Sequence, residues 1–153
     1  MSRNDHVRIL IVEDEVLIAL ELESLLQDEG YEVVGIAATS GEALDLGAAL
    51  QPSLAFVDIH LADGPTGVDV ARRLAQQGVM VLFMTANAKR VPDDFAGAQG
   101  IIAKPYSERG VRQALAYVLS EPHQRVAGMP PDSVRLAPAM HAAELHRGPE
   151  HGG

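Results

Sequence analysis

Arg8-Ile9-Leu10-Ile11-Val12-Glu13-Asp14-Glu15 is a short apolar run cut off by three carboxylates. A run of that length, rich in branched residues and without polar alternation, reads as a strand buried on both faces. The same punctuation returns along the chain. Leu54 to Val57 ends in Asp58, Val79 to Met84 ends in Thr85, and Ile101 to Ala103 ends in Lys104-Pro105. A further strand is expected at Glu32 to Ala37. Helical patterns fill most of the gaps. The first runs from about Glu15 to Glu29, with Ile18, Leu22 and Leu25 on one face and Gly30 placed to stop it. Thr39 and Glu42 have the spacing of a capping box and open a helix to about Leu50. Asp63-Gly64-Pro65-Thr66 turns into a helix carrying Val68, Ala71, Leu74 and Ala75. Ser107 to Leu119 shows one apolar stripe of Val111, Ala114, Leu115, Val118 and Leu119. Strands alternating with helices imply right-handed crossovers and a parallel sheet covered on both faces. The expected fold is α/β: a doubly wound, five-stranded parallel sheet.

The totals agree with one domain and some length to spare. Of the 153 residues 47% are hydrophobic and only 4% aromatic, so the core should be aliphatic. A net charge of −9 argues against direct nucleic-acid binding, which needs a basic surface. With no cysteine, no disulfide framework or thiolate metal site is available. No basic start leads into an apolar leader, and no stretch approaches the ~20 apolar residues of a membrane span. A cytoplasmic protein is expected.

Two stretches break the pattern. Residues 86–100 carry Pro92 where a fourth helix belongs, so that helix should be short or distorted. After Ser120 the composition changes, with five of the nine prolines and four of the six histidines lying there. The reading is a folded domain over 7–120 and a Pro/His-rich tail over 121–153, a flexible arm without a fold of its own and too short for an effector domain. His141, His146 and His151 put no pair on one helical turn, so they read as a solvated tail rather than a metal site.

In an open parallel sheet the carboxyl ends of the strands converge on one crevice. With the order 2-1-3-4-5, borrowed from flavodoxin-like sheets, strands one and three flank the point where the connections reverse, and Glu13, Asp14 and Asp58 meet. Carboxylates packed together repel unless a counter-ion joins them. A hard divalent cation such as Mg²⁺ prefers oxygen ligands and keeps waters that a phosphate can replace. Asp58 is the candidate nucleophile, since a carboxylate attacking phosphorus gives an acyl phosphate. Phosphoryl transfer asks mainly for positioning and charge neutralisation. Mg²⁺ would cover one phosphoryl oxygen, Lys104 another and the Thr85 hydroxyl a third, with Pro105 holding Lys104 extended. Each feature alone has a plainer account as a helix start, a turn or a cap. Their joint placement at successive strand ends favours the site.

The segments ILIVEDE (9–15), LAFVDIHLADG (54–64), LFMTAN (82–87) and GIIAKPY (100–106) resemble response-regulator receiver domains, the CheY-like half of two-component signalling. The resemblance spans about Val7 to Leu119. It implies that Asp58 accepts a phosphoryl group from a histidine kinase or histidine phosphotransfer protein. Glu13, Asp14, Asp58 and the backbone carbonyl of His60 would hold Mg²⁺, and Thr85 and Lys104 would read the phosphoryl group. Such a domain is no enzyme beyond its own phosphorylation and dephosphorylation. It would act on a downstream protein or as a phosphate sink, without nucleic acid or membrane, and a homodimer stays open. EDEVLIALELESLL, GIAATS and DIHLADGPTG are further similar to receivers of the alphaproteobacterial general stress response. The chain departs from the family at Ile101, where an aromatic residue is usual three positions before the lysine. Two other readings remain. One is a Mg²⁺-dependent phosphohydrolase with Asp58 as nucleophile, although haloacid-dehalogenase-like enzymes place a second Asp where this chain has His60. The other is a silent receiver used only for protein interaction.

Overall fold

The computed structural model describes residues 7–120 and 134–137. The elements follow in the order β1 (Arg8–Val12), α1 (Val16–Asp28), β2 (Glu32–Ala37), α2 (Ser40–Leu50), β3 (Leu54–Val57), α3 (Gly67–Gln76), β4 (Met80–Thr85), β5 (Gly100–Ala103), α4 (Glu108–Val118) and β6 (Val134–Leu136). They form one sheet in the order β2-β1-β3-β4-β5-β6. The first five strands are parallel and stand in the expected order, and β6 is antiparallel to β5.

Side chains leave successive positions of a strand on opposite faces, and the two halves of the core follow that period. Leu10, Val12, Ala55, Val57, Val81, Phe83 and Ile101 pack with Ala43 of α2 and with Val70, Ala71 and Leu74 of α3. Ile9, Ile11, Leu54, Phe56, Leu82, Met84 and Ile102 pack with Leu22 and Leu26 of α1 and with Val111 and Leu115 of α4. Because both faces are covered, the central strand β3 carries apolar residues at every position and is buried throughout.

The helix ends obey the local chemistry. Thr39 Oγ1 accepts from the Glu42 N–H at 3.2 Å, while the Glu42 carboxylate reaches back to the Ala38 N–H at 2.9 Å, one residue short of a full box. Ser107 Oγ accepts from the Gly110 N–H at 2.9 Å and opens α4. Gly30 ends α1 at φ 91°, a conformation glycine adopts without a Cβ penalty.

Residues 86–99 hold no full helix. Two 3-10 turns, Ala88–Arg90 and Phe95–Gly97, stand in its place. Beyond Ser120 the expectation of a tail without structure needs correction for four residues. Val134–Leu136 pair with β5 in the register Gly100 with Leu136, Ile101 with Arg135 and Ile102 with Val134. The Ala137 N–H extends the ladder to the Gln99 carbonyl at 2.9 Å. β5 pairs with β4 on one side only, and on its other side a strand is the element that satisfies its backbone groups. The rest of the tail reading, with its three histidines, lies outside the described residues. Among the described residues no helix is long and apolar enough to cross a membrane.

Candidate functional site

Five strand ends are fastened in two groups, β2-β1-β3 and β4-β5, before any side chain is considered. The Glu13 N–H donates to the Ala37 carbonyl at 2.8 Å, the Asp58 N–H to the Val12 carbonyl at 3.0 Å, and the Lys104 N–H to the Thr85 carbonyl at 2.9 Å. The ladder therefore sets the side chains that follow β1, β3 and β5 along one rim. There one carboxylate oxygen from each of Glu13, Asp14 and Asp58 lies within 4.8 Å of the others. The order of β1 and β3, adjacent in the sheet though far apart in the chain, produces this meeting.

Lys104 crosses the crevice from the end of β5. Its Nζ donates to Glu13 Oε1 at 2.7 Å and to Asp58 Oδ2 at 2.8 Å. These are short charge-assisted bonds. The side chains are sheltered: Glu13 is 5% exposed, Asp58 and Lys104 14% each. Burial pushes the Glu13 carboxyl above its ordinary value, and the Lys104 ammonium and the Glu15 N–H only partly offset that push. Burial also works against the charged form of Lys104. Its bonds to Asp58 and Glu13 outweigh that effect and hold the ammonium above its usual range.

Three carboxylates against one ammonium leave a net of two negative charges when all are ionised. An all-oxygen donor set with that excess suits a hard divalent cation and suits a soft metal poorly.

The other expected residues take different places. Thr85 closes β4 beside Lys104 and is buried, but its hydroxyl accepts from the Asn87 N–H at 3.1 Å. The structure thus puts the hydroxyl on its own loop and not on a carboxylate. His60 is exposed in the loop after β3. Pro105 follows Lys104 through a cis peptide bond.

Two residues escaped the sequence reading. Asp63 accepts from Ser40 Oγ at 2.6 Å and from Thr66 Oγ1 at 2.8 Å, so the loop after Asp58 is tied to the start of α2. The Ser40 hydroxyl first, and Thr66 second, hold its carboxyl below the usual range. Gly67 begins α3 against that same loop, where a Cβ would stand 1.9 Å from the Asp58 carbonyl oxygen and 2.7 Å from Ile59 Cα. The Asp-Gly turn of residues 63–64 hinted at a tight loop, but nothing in the sequence marks the close approach of Gly67.

The signature of the family described as response regulator receiver domain matches residues 9–116. The chain belongs to the response regulator receiver family. Its residues are 37% identical over 114 positions to the phyllosphere-induced regulator PhyR of Methylorubrum extorquens, covering 72% of this chain and 43% of that protein. A CheY-like receiver domain protein from Methanospirillum hungatei superposes with a TM-score of 0.68 at 32% identity, covering 80% of this chain and 98% of the other. The anti-anti-sigma factor PhyR from Bartonella quintana gives a TM-score of 0.58 at 33% identity, covering 69% of this chain and 44% of that one. The receiver spans less than half the length of both PhyR proteins. Receivers are phosphoacceptors of two-component systems.

Proposed function

We propose that this receiver accepts a phosphoryl group on Asp58 from a histidine kinase or a histidine phosphotransfer protein, and passes the signal on by protein contact or drains it as a phosphate sink. The observation that carries the reading is the ammonium of Lys104 held at 2.8 Å on Asp58 and 2.7 Å on Glu13, with Asp14 completing the carboxylate trio. No nucleic-acid partner is part of the proposal, since the net charge is −9.

In the transfer, a carboxylate oxygen of Asp58 forms a bond to phosphorus while the phosphorus–nitrogen bond of the donor phosphohistidine breaks. The electron pair leaves with the imidazole, which takes up a proton. Glu13, Asp14 and Asp58, with the His60 carbonyl, would hold Mg²⁺, which supplies positive charge to the phosphoryl oxygens. Lys104 supplies a second positive charge and keeps Asp58 oriented before the donor arrives. Once Asp58 is phosphorylated, the Thr85 hydroxyl turns its proton from the Asn87 carbonyl, 3.5 Å away, to a phosphoryl oxygen. That change shifts the loop after β4 and gives the domain its second state.

Output through a protein partner is supported by the likeness to PhyR, which bears the name anti-anti-sigma factor. The exposed side of α1 offers a place for the donor. Val16 and Leu17, directly after the acidic rim, are 67% and 77% exposed, and Leu20 is 48% exposed one turn on. Large apolar side chains held in water beside a reacting carboxylate suit a transient partner surface.

Incubation with acetyl phosphate and Mg²⁺ tests the chemistry by intact mass. One added phosphoryl group is expected on the wild-type chain and none on Asp58→Asn. Equal labelling of both would move the acceptor elsewhere, and no labelling of either would make this a silent receiver.

A further inference from the structure

The sheet ends at β6, and β6 is a small element for that position. It shares three register pairs with β5, extended by the bond from Ala137 to Gln99. It reaches this edge from beyond α4, across residues 121–133. Yet its contacts are specific. Leu136 and Ala137 are buried to 5% and 4% exposure on opposite faces of the sheet. Leu136 joins the cluster with Ile102, Val111 and Leu115, and Ala137 joins the one with Phe95 and Ile101. Arg135, itself exposed, sets its guanidinium 5.6 Å from the centre of the Phe95 ring, within cation–π range.

Phe95 and Ala96 hold left-handed backbone conformations, at φ 56° and 51°, which non-glycine residues adopt only when their surroundings enforce them. Phe95 is buried in one cluster with Ile101 of β5 and Ala137, with Arg135 over its ring. Gly100 contributes no side chain opposite Leu136. The edge thus offers the strand that pairs with it a hydrogen-bonding ladder, an apolar seat on one face, a small seat on the other, and an aromatic face for a cation. Strand addition uses these parts, with backbone bonds supplying affinity and alternate side chains supplying selectivity.

We propose that the outer edge of β5 is a strand-addition site, that residues 134–137 are its removable internal occupant, and that its external ligand is an extended segment of a partner protein reading basic, large apolar, small at the positions of Arg135, Leu136 and Ala137. The inference stands on β5 and β6 alone and does not depend on Asp58 being the phosphoacceptor. A tethered occupant of this kind raises the threshold for the external one, because the partner must compete with a high local concentration of the internal strand.

The test uses the full chain carrying Leu136→Asp and Ala137→Pro together, which removes the buried side chain and the N–H that reaches Gln99. The probe is a fluorescent peptide with the sequence of residues 131–140. The double variant should bind it saturably, and the wild type at least about tenfold more weakly, since its own strand competes. A peptide carrying the same two substitutions should not bind. Equal binding by both proteins, or binding by neither, overturns the proposal. Wild-type dimers that disappear in the double variant would also overturn it, by giving the edge to a second copy. Should the double variant fail to fold, hydrogen exchange on the wild type decides. The amides of residues 135–137 should exchange at least about tenfold faster than those of β4, and equal protection sinks the idea of a removable strand.

Discussion

Lys104 carries the electrostatics of the site, and its effect on stability has a definite sign. The ammonium is held above its ordinary value of 10.5, so its contribution is complete below pH 10.5 and is lost as pH rises through the higher folded value. Tyr31 and Tyr106 are also raised, by burial first, and lower the stability in the same direction at high pH. The Lys104 part is therefore the difference between wild type and Lys104→Met. Near neutral pH the variant should be less stable by about 2 kcal/mol, because Glu13 is left buried without its counter-charge. That gap should narrow above pH 10.5. Urea titrations across this range check it, and a gap that stays constant would mean that Lys104 stabilises only by packing. Glu13 acts in the opposite region: its folded carboxyl is raised above 4.5, so ionising it costs stability as pH climbs through that value.

Among the elements, α3 sets the loop behind Asp58 and α1 sets the approach in front of it. Gly67→Ala would drive a Cβ into the Asp58 carbonyl and Ile59 backbone, neither of which can turn aside as a side chain can. A loss of about 2–3 kcal/mol is expected, together with slower labelling by acetyl phosphate, because the loop after Asp58, the proposed acceptor, must move. A denaturation midpoint matching wild type would contradict so close an approach of α3 to that loop. On α1, Leu17→Asp changes an exposed side chain and should leave acetyl phosphate labelling intact while slowing transfer from a phosphorylated histidine protein by about tenfold or more. Equal slowing of both reactions would place Leu17 in the chemistry rather than in docking. The elements were largely legible from sequence because their signals are local. Thr39 and Ser107 mark helix starts, Gly30 a stop, and the apolar runs the strands. The segment over 86–99 was legible only as a failure, since Pro92 forbids a regular helix but does not say what replaces it.

At the scale of the molecule, β5 reaches both the carboxylate rim and the edge of the sheet that β6 covers. Ile102 pairs with β6, and Lys104, two residues on, is bonded to Asp58. With Asp58 as the proposed acceptor, phosphorylation would add charge there and draw Lys104 onto the new group, and the strand between them would transmit the change. Hydrogen exchange of residues 135–137 should therefore become faster after acetyl phosphate treatment, while amides in β1 stay unchanged. Identical exchange before and after would disconnect the two sites.

What the sequence determined by itself was the alternation of strands and helices and the kinds of residue at each strand end. Both are written in near-neighbour spacing: apolar periods of two and 3.6 residues, caps, and breakers. The likeness of four segments to receiver domains carried the acidic trio and its lysine further than spacing alone could. The tertiary structure decided what depends on distant partners. It brought Nζ of Lys104 onto two carboxylates 46 and 91 residues away, turned the Thr85 hydroxyl to Asn87, and seated Gly67 against the Asp58 backbone. It also made a strand of Val134–Leu136, which has no pattern of its own. A segment that short becomes a strand only where an open edge needs hydrogen bonds, and that edge exists only after the other five strands have assembled.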